Sequence, residues 1–228
     1  MTRDMLDRKI RMLLDEIVQM DQMVEDATRQ AVDALRRQDL ELARKVYDGD
    51  REINARRFTL ENDCMITIAT QQPIMAGDLR RVASILEVVG ELERMGDYAK
   101  GIANINIRMG EESLLKPLID IPRMAQIGAS MLHRALTAFV NEDVDAAKAI
   151  PLEDDEVDAL YNQVYRELML IIIQDPKSIE RANWLLWTAH NLERVADRVT
   201  NICERTVFIS TGEMAEIKSS DDDFWKNK

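Results

Sequence analysis

The organisation of the chain follows from one stretch, Asn191-Leu-Glu-Arg-Val-Ala-Asp-Arg-Val-Thr-Asn201. Its polar residues Glu193, Asp197 and Asn201 recur at steps of four, which places them in one stripe along a helix. The intervening leucine, valine and alanine residues suit the buried face of that helix. A hundred residues earlier the chain reads Glu91-Leu-Glu-Arg-Met-Gly-Asp-Tyr-Ala-Lys-Gly101. Two copies of Leu-Glu-Arg-x-x-Asp predict a duplicated unit.

The composition favours an all-α protein and limits the classes of partner. Among 228 residues there are 8 glycines and 5 prolines, and aromatic residues make up 5%. So few helix breakers argue against a sheet-rich fold. The formal net charge is −12, with a sequence pI of about 4.8. We therefore expect no binding to nucleic acid and no insertion into an anionic membrane, whereas cations are plausible ligands.

Apolar residues recur at threes and fours over six long segments, which predicts six helices. Pro73 and Pro176 end the second and fifth helices, because proline has no amide to donate and restricts the residue before it. Pro151 must kink or restart the fifth helix. The predicted helices span about residues 2–37, 40–71, 77–109, 118–139, 144–174 and 178–209.

The two halves of the chain align on one another. Asp50-Arg-Glu-Ile-Asn54 matches Asp154-Asp-Glu-Val-Asp158 at an offset of 104, and Glu93 matches Glu193 at an offset of 100. Long helices joined by short turns must be antiparallel neighbours. We therefore predict two tandem homologous three-helix bundles, residues 1–110 and 117–211. A flexible polar tail, residues 212–228, follows them.

The first helix hairpin brings polar groups to the same level on neighbouring helices. If the turn centres near Pro73, Glu93 lies level with Asn54, and Asp97 lies level with Asp50. Each pair of acids four residues apart spans about 6 Å of helix. The first half therefore presents three acids and one amide in a single patch.

The second hairpin gives a patch of four acids. A turn centred near Pro176 places Glu193 level with Asp158, and Asp197 level with Asp154. Clustered carboxylates repel one another and raise one another's pKa, and a bound cation relieves the repulsion. Oxygen ligands of this kind suit Mg²⁺, Ca²⁺, Mn²⁺ or iron.

Simpler interpretations of these acids stay open. Acids four residues apart on a helix are commonly solvated, and Arg94 and Arg194 can neutralise neighbouring acids by i,i+3 pairing. His190 lies three residues before Glu193 and is a further candidate ligand, although the first half has Gly90 at the matching position.

The remaining features predict a cytoplasmic chain. Cys64 and Cys203 are far apart in sequence and outside any Cys-x-x-Cys motif, as expected for reduced thiols. The N-terminal segment is charged and is not a secretory signal. The longest apolar run, Leu168 to Ile173, is far shorter than the roughly 20 residues that span a bilayer.

These motifs resemble the PhoU family of phosphate-uptake regulators over nearly the whole chain. The resemblance is carried by the two Leu-Glu-Arg-x-x-Asp motifs and by three further stretches. These are Met20-Asp-Gln-Met-Val-Glu25, Asp39-Leu-Glu-Leu-Ala-Arg-Lys45 and Gln72-Pro-Ile-Met-Ala-Gly-Asp-Leu-Arg80.

The resemblance implies a homodimer with metal clusters, most often of iron, with zinc, manganese, magnesium or calcium as alternatives. It implies a cytoplasmic adaptor, close to the membrane through its partners, between the ATPase of an ABC phosphate transporter and a sensor histidine kinase. Such an adaptor represses the phosphate-starvation response when phosphate is plentiful, and no enzymatic activity is implied. The departures at Asn54 and Gly101 leave the completeness of the first site open. Carried over by position, the metal ligands are Asp50, Glu93, Asp97, Asp154, Asp158, Glu193, Asp197 and Asn201.

Two alternatives from other classes remain. A carboxylate-bridged di-metal enzyme of the ferritin-like type uses Glu-x-x-His pairs inside a four-helix bundle. Here the order is His190-x-x-Glu193, it occurs once, and each half has three predicted helices. A purely structural helical scaffold, with solvated acids, is the second alternative.

Overall fold

The regular structure is helical throughout the described part of the chain. A computed structural model describes residues 3–71 and 73–217; Thr2, Gln72 and the end of the predicted tail, residues 218–228, lie outside them. The helices are α1 Arg3–Arg37, α2 Leu40–Thr70, α3 Ala76–Met109, α4 Asp120–Asn141, α5 Val144–Ala149, α6 Asp154–Gln174 and α7 Ile179–Thr211.

The predicted all-α fold is confirmed, and the fifth predicted helix restarts at Pro151. A 3₁₀ turn, Ile150–Glu153, separates α5 from α6, because proline cannot supply the amide that a continuous helix needs. A second 3₁₀ turn, Pro176–Ser178, precedes α7. The fourth helix begins at Asp120, two residues later than predicted.

The duplication is visible in the turns that start the second helix of each half. Gln38 and Glu142 both adopt the left-handed conformation, with φ of 56° and 55°. Asp39 and Asp143 then cap the next helix, accepting hydrogen bonds from the amides of Leu42 at 2.9 Å and Ala146 at 3.0 Å. The same local chemistry therefore starts the same helix twice.

The two bundles share one hydrophobic core. Helix α1 packs against α4 and α3 packs against α7, while α2 pairs with α3 and α6 with α7. Met20 of α1, Met124 of α4 and Leu192 of α7 all belong to a single buried cluster. Burial of such apolar surface contributes roughly 25 cal/mol per Å² to folding. The segment from residue 110 to 119 thus connects halves that are already joined by packing.

The seam between α3 and α7 is antiparallel and nearly symmetric. Asn201 Nδ2 donates to Glu91 Oε2 at 3.1 Å. At the equivalent crossing, the side chain of Asn191 lies over Gly101, and a Cβ built at Gly101 would be 3.0 Å from Asn191 Nδ2. The absence of a side chain at residue 101 therefore has a packing reason, because the two helices approach closely there.

The two cysteines are reduced, and none of the described helices is apolar enough to cross a membrane. Cys64 and Cys203 are free and buried, and burial raises the pKa of each thiol to about 12. Across residues 3–71 and 73–217, no helix combines the length and the apolar character that crossing a membrane requires.

Candidate metal sites

In the second half, Asp154 is an acid whose side chain is buried. It opens α6 immediately after the 3₁₀ turn and is only 8% exposed. Its Oδ1 atom is buried and has no hydrogen-bond partner in the described chain. Burial raises the pKa of Asp154 to about 7, with further increases from the charges of Asp158, Asp197 and Glu193. The structure therefore brings together the four acids that the second hairpin was predicted to align.

The other groups of this patch are anchored on α7 and α6. Arg194 Nη1 lies 3.2 Å from Asp197 Oδ2, so the expected i,i+3 pairing is present in this half. His190 Nδ1 lies 3.2 Å from Glu193 Oε2. Burial and then the Glu193 charge raise the pKa of the Tyr161 hydroxyl. A positive charge is thus present beside Asp197, whereas the charges acting on Asp154 are those of other acids.

The first half contains a related patch that is neutralised by its own basic residues. Asp50 is 3% exposed, and its Oδ2 accepts hydrogen bonds from Lys100 Nζ at 2.6 Å and Asn54 Nδ2 at 2.9 Å. Its Oδ1 is buried and has no hydrogen-bond partner among the residues of 3–71 and 73–217. Arg57 Nη1 lies 2.7 Å from Glu93 Oε1. Asp50 and Glu93 therefore each have a positively charged partner within the chain.

Asp97 is the most accessible member of the first patch. Its side chain is 52% exposed, and Lys100 Nζ lies 3.9 Å from Asp97 Oδ1. Burial, followed by the charges of Glu93 and Asp50, raises the pKa of Asp97. Arg94 pairs instead with Glu91, at 3.4 Å, so it does not act on this acid in the way that Arg194 acts on Asp197.

The cations of the first patch have uncharged counterparts in the second. At the offsets that align the halves, Arg57 corresponds to Tyr161 and Lys100 to Thr200, while Asn54 corresponds to Asp158. The second patch therefore has one more acid and lacks these two bases. Its donor set and the buried Oδ1 of Asp154 fit an oxygen-coordinated cation, which would be held by Asp154, Asp158, Glu193 and Asp197.

The positions of the side chains differ in two ways from those of a metal site with all its ligands in place. The side chain of Asn201 is turned to Glu91 on α3, where it forms part of the seam between the halves. In neither carboxylate patch do ligand atoms from three residues all lie within 4.8 Å of one another. Among the described residues, one other group of three side chains does bring its ligand atoms this close together. That group is Asp21, Glu25 and His133.

The sequence did not single out this third group as a site. Asp21 and Glu25 belong to a stretch that carries the family resemblance, and His133 is isolated in sequence from any other candidate ligand. The available signal was that Asp21 and Glu25 interrupt the apolar face of α1, beside Met20 and Val24. Nothing in the sequence indicated that α4 would carry a histidine to the same place.

Comparison with known proteins gives consistent matches over most of the chain. A family model described as "PhoU domain" matches residues 17–105 and again residues 121–206. The PhoU homolog of Aquifex aeolicus is 37% identical over 202 residues, covering 89% of this chain and 91% of that protein. The Escherichia coli K12 protein named "Phosphate-specific transport system accessory protein PhoU" is 33% identical and covers 87% of this chain and 82% of its own length.

Solved structures give the same result. The phosphate transport system regulatory protein PhoU from Streptococcus pneumoniae superposes with a TM-score of 0.84 at 31% identity, covering 92% of this chain and 99% of that one. PhoU from Pseudomonas aeruginosa gives a TM-score of 0.85 at 30% identity, with 91% and 99% covered. From the duplicated helical fold, the twice-matched domain and these relatives, the chain belongs to the PhoU family.

Proposed function

We propose that this protein is a metal-binding regulator of phosphate uptake. It acts as an adaptor between the ATPase of an ABC phosphate transporter and a sensor histidine kinase, and it represses the phosphate-starvation response when phosphate is plentiful. Support comes from relatives that are named as accessory or regulatory proteins of phosphate transport systems. In this proposal the protein works in the cytoplasm as a homodimer and reaches the membrane only through its partners.

The metal part of the proposal rests on one observation, the buried and unpartnered Oδ1 of Asp154 among other acids. Leaving a carboxylate oxygen buried without a partner is unfavourable by roughly 1–3 kcal/mol or more. A cation such as iron, manganese or zinc supplies positive charge at that place when bound. Asp154 and Asp158 on α6 and Glu193 and Asp197 on α7 are then held together, which fixes the two helices relative to one another.

A regulatory role fits the site better than catalysis. The relatives are named as accessory or regulatory proteins, not as enzymes. The arrangement also lacks, within the described helices, the paired Glu-x-x-His motifs of ferritin-like oxidases, because His190 precedes Glu193. A metal held between α6 and α7 can instead make the relative position of these two helices, and so the shape of a partner-binding surface, depend on metal binding.

The first test is elemental analysis of protein purified without chelator or nickel affinity resin. The double variant Glu193→Ala/Asp197→Ala is compared with wild type and with Asp145→Ala/Glu180→Ala, which removes the same charge from two exposed positions. We expect at least one more divalent metal or iron ion per chain in wild type and in the control than in the first variant. Equal metal content in all three proteins, or none even after adding metal back, would contradict the metal part of the proposal.

A second test concerns the partners. With a net charge of −12 the chain should seek basic faces on the transporter ATPase or the kinase. We expect the dissociation constant for the isolated ATPase to rise when NaCl increases from 50 to 300 mM, roughly tenfold, because ions screen such contacts over about 10 Å. Affinity that does not change with salt would show that apolar contacts, not charge, hold the complex.

A further inference from the structure

Asp21 and Glu25 of α1 converge with His133 of α4 at the contact between the two halves. One possible ligand atom from each residue lies within 4.8 Å of the other two. His133 Nδ1 is 3.1 Å from Glu25 Oε1. The two acids are one helical turn apart on α1, so their side chains project side by side toward α4.

The burial of this group sets it apart from an ordinary acidic surface. Asp21 is 2% exposed and Glu25 is 7% exposed, although both carry ionisable groups. Asp21 Oδ1 is buried and finds no hydrogen-bond partner within the described structure. Burial, then the charge of Glu25 and a hydrogen bond between the Asp21 and Glu25 side chains, raise the pKa of Asp21 to about 8. Two carboxyl groups held together at a buried position favour either a proton or a cation between them.

Arg29 and His133 contact different oxygens of the Glu25 carboxylate. Arg29 Nη2 binds Glu25 Oε2 at 2.8 Å, so the other oxygen of Glu25 is the one that faces His133. The arginine also orients the Glu25 carboxylate. The side chain of His133 is 64% exposed, which gives the group a route to solvent. A small ion can therefore reach carboxylates that are themselves buried.

We propose that Asp21, Glu25 and His133 form a binding site for a divalent transition-metal ion such as Zn²⁺. The bound ion would link α1 of the first bundle to α4 of the second. One imidazole and two carboxylates are a donor set that zinc, manganese and ferrous iron accept, with water completing the coordination. Imidazole is a poor ligand for magnesium and calcium, which prefer all-oxygen sites. The site uses α1 and α4, whereas the carboxylate patches use α2, α3, α6 and α7.

The experiment separates this site from the other two. The background protein is Glu93→Ala/Asp97→Ala/Glu193→Ala/Asp197→Ala, stripped of metal and checked for helix content by circular dichroism. Zn²⁺ alone is titrated by calorimetry, and Co²⁺ is used to detect a visible absorption band from an imidazole-containing site. We expect about one Zn²⁺ per chain in the background, and at least tenfold weaker binding once His133→Ala is added.

Two further variants control the result. His190→Ala in the same background removes the chain's other histidine and should leave Zn²⁺ affinity and the Co²⁺ band unchanged. Asp21→Asn should also weaken Zn²⁺ binding at least tenfold. At pH 9, where the Asp21 carboxyl is ionised, it should raise the melting temperature of the metal-free protein by removing a buried charge. Absence of Zn²⁺ binding in the background, or equal affinity with and without His133, would overturn the proposal.

Discussion

The hairpin formed by α2 and α3 and the one formed by α6 and α7 hold their acids in different ways. In the first, Lys100 binds the buried Asp50 and Arg57 binds Glu93. In the second, Thr200 and Tyr161 occupy those places, and Asp154 is surrounded by other acids. The backbone arrangement is repeated, whereas the electrostatic balance is not.

The difference indicates which half depends on an external cation. In the first patch, Lys100 and Arg57 neutralise part of the negative charge of the acids, so less repulsion remains when no metal is bound. Each half has one buried carboxylate oxygen with no hydrogen-bond partner among the described residues, on Asp50 and on Asp154, but the second half has one more acid, and the charges that act on Asp154 are all those of other acids. We therefore expect the second half to bind metal more tightly than the first, and the following predictions test that contrast.

The largest expected effect comes from transferring the cations of the first half to the second. The variant Tyr161→Arg/Thr200→Lys adds two positive charges beside the second patch. Each added charge, if it lies about 6 Å from a bound divalent ion, repels that ion by roughly 5 kcal/mol at an effective dielectric constant of 20, before salt screening. After allowing for screening, we expect metal affinity at the second patch to fall by at least about a hundredfold. Isothermal titration with Mn²⁺ measures this change directly.

The control keeps the same positions but adds no charge. Tyr161→Gln/Thr200→Gln alters the same side chains and should change Mn²⁺ affinity by less than about fivefold. If the charged and neutral pairs of substitutions weaken binding equally, the contrast between the halves has a steric origin and the electrostatic account is wrong.

A smaller effect, opposite in sign between the halves, is expected for asparagine substitutions of the two buried aspartates. Asp50→Asn removes the partner of Lys100 and should lower the unfolding free energy by about 1–3 kcal/mol. Asp154→Asn removes a charge that is repelled by its neighbours and should raise the unfolding free energy of the metal-free protein by about 1–3 kcal/mol at pH 8. Urea unfolding of chelator-treated protein measures both, and a common sign would contradict the comparison.

The Asp154 carboxyl also contributes to the pH dependence of the metal-free protein, together with the buried Asp21 carboxyl, whose pKa is raised to about 8. The pKa of Asp154 is raised from 3.8 to about 7 in the folded state, so the folded protein binds more protons than the unfolded chain between those values. The unfolding free energy should therefore fall as pH rises from about 4 to about 7, and the destabilisation is fully present above pH 7. Asp154→Asn should make this fall smaller, and unfolding curves of the variant and of wild type at pH 5 and pH 8 measure the change.

The smallest effect concerns the packing of the two hairpins. A Cβ at Gly96 would lie 3.1 Å and 3.2 Å from two carbons of Ile53, whereas the matching positions in the second half carry Ala196 and Val157. Gly96→Ala should destabilise the protein by about 1 kcal/mol, since crowding outweighs the gain in helix propensity. Adding Ile53→Val removes the closer contact and should recover at least half of the loss in thermal unfolding. If the loss of stability in the double variant equals the sum of the losses in the two single variants, the two positions are not coupled and the explanation by crowding is wrong.

Much of this architecture could be predicted from periodicity and repeats. The six long apolar patterns gave helices whose ends lie within a few residues of the observed ones, because proline and the aspartate caps mark them locally. The alignment of Asp154 with Asp197 followed from counting residues on either side of a short turn. These features depend on interactions that are close in sequence or fixed by hairpin geometry.

What could not be predicted depends on how the two bundles meet. The contact of Asn201 with Glu91 and the approach of His133 to Glu25 both cross between the halves. No spacing rule within one hairpin contains that information. The positions of Lys100 and Arg57 relative to the acids likewise depend on side-chain conformations, which periodicity does not specify. Whether metal occupies any of these places stays a prediction.

The near-symmetric seam between α3 and α7 also bears on how the chain could be divided. Cutting the connection near residue 113 leaves each fragment with an apolar face that its counterpart covers in the intact protein. The two fragments, expressed separately and mixed, are therefore expected to reassemble by complementation, as the parts of a split reporter do. A single fragment, having no counterpart, should pair with a second copy of itself. The protein thus has the internal design of a two-subunit assembly whose subunits are joined by one short peptide.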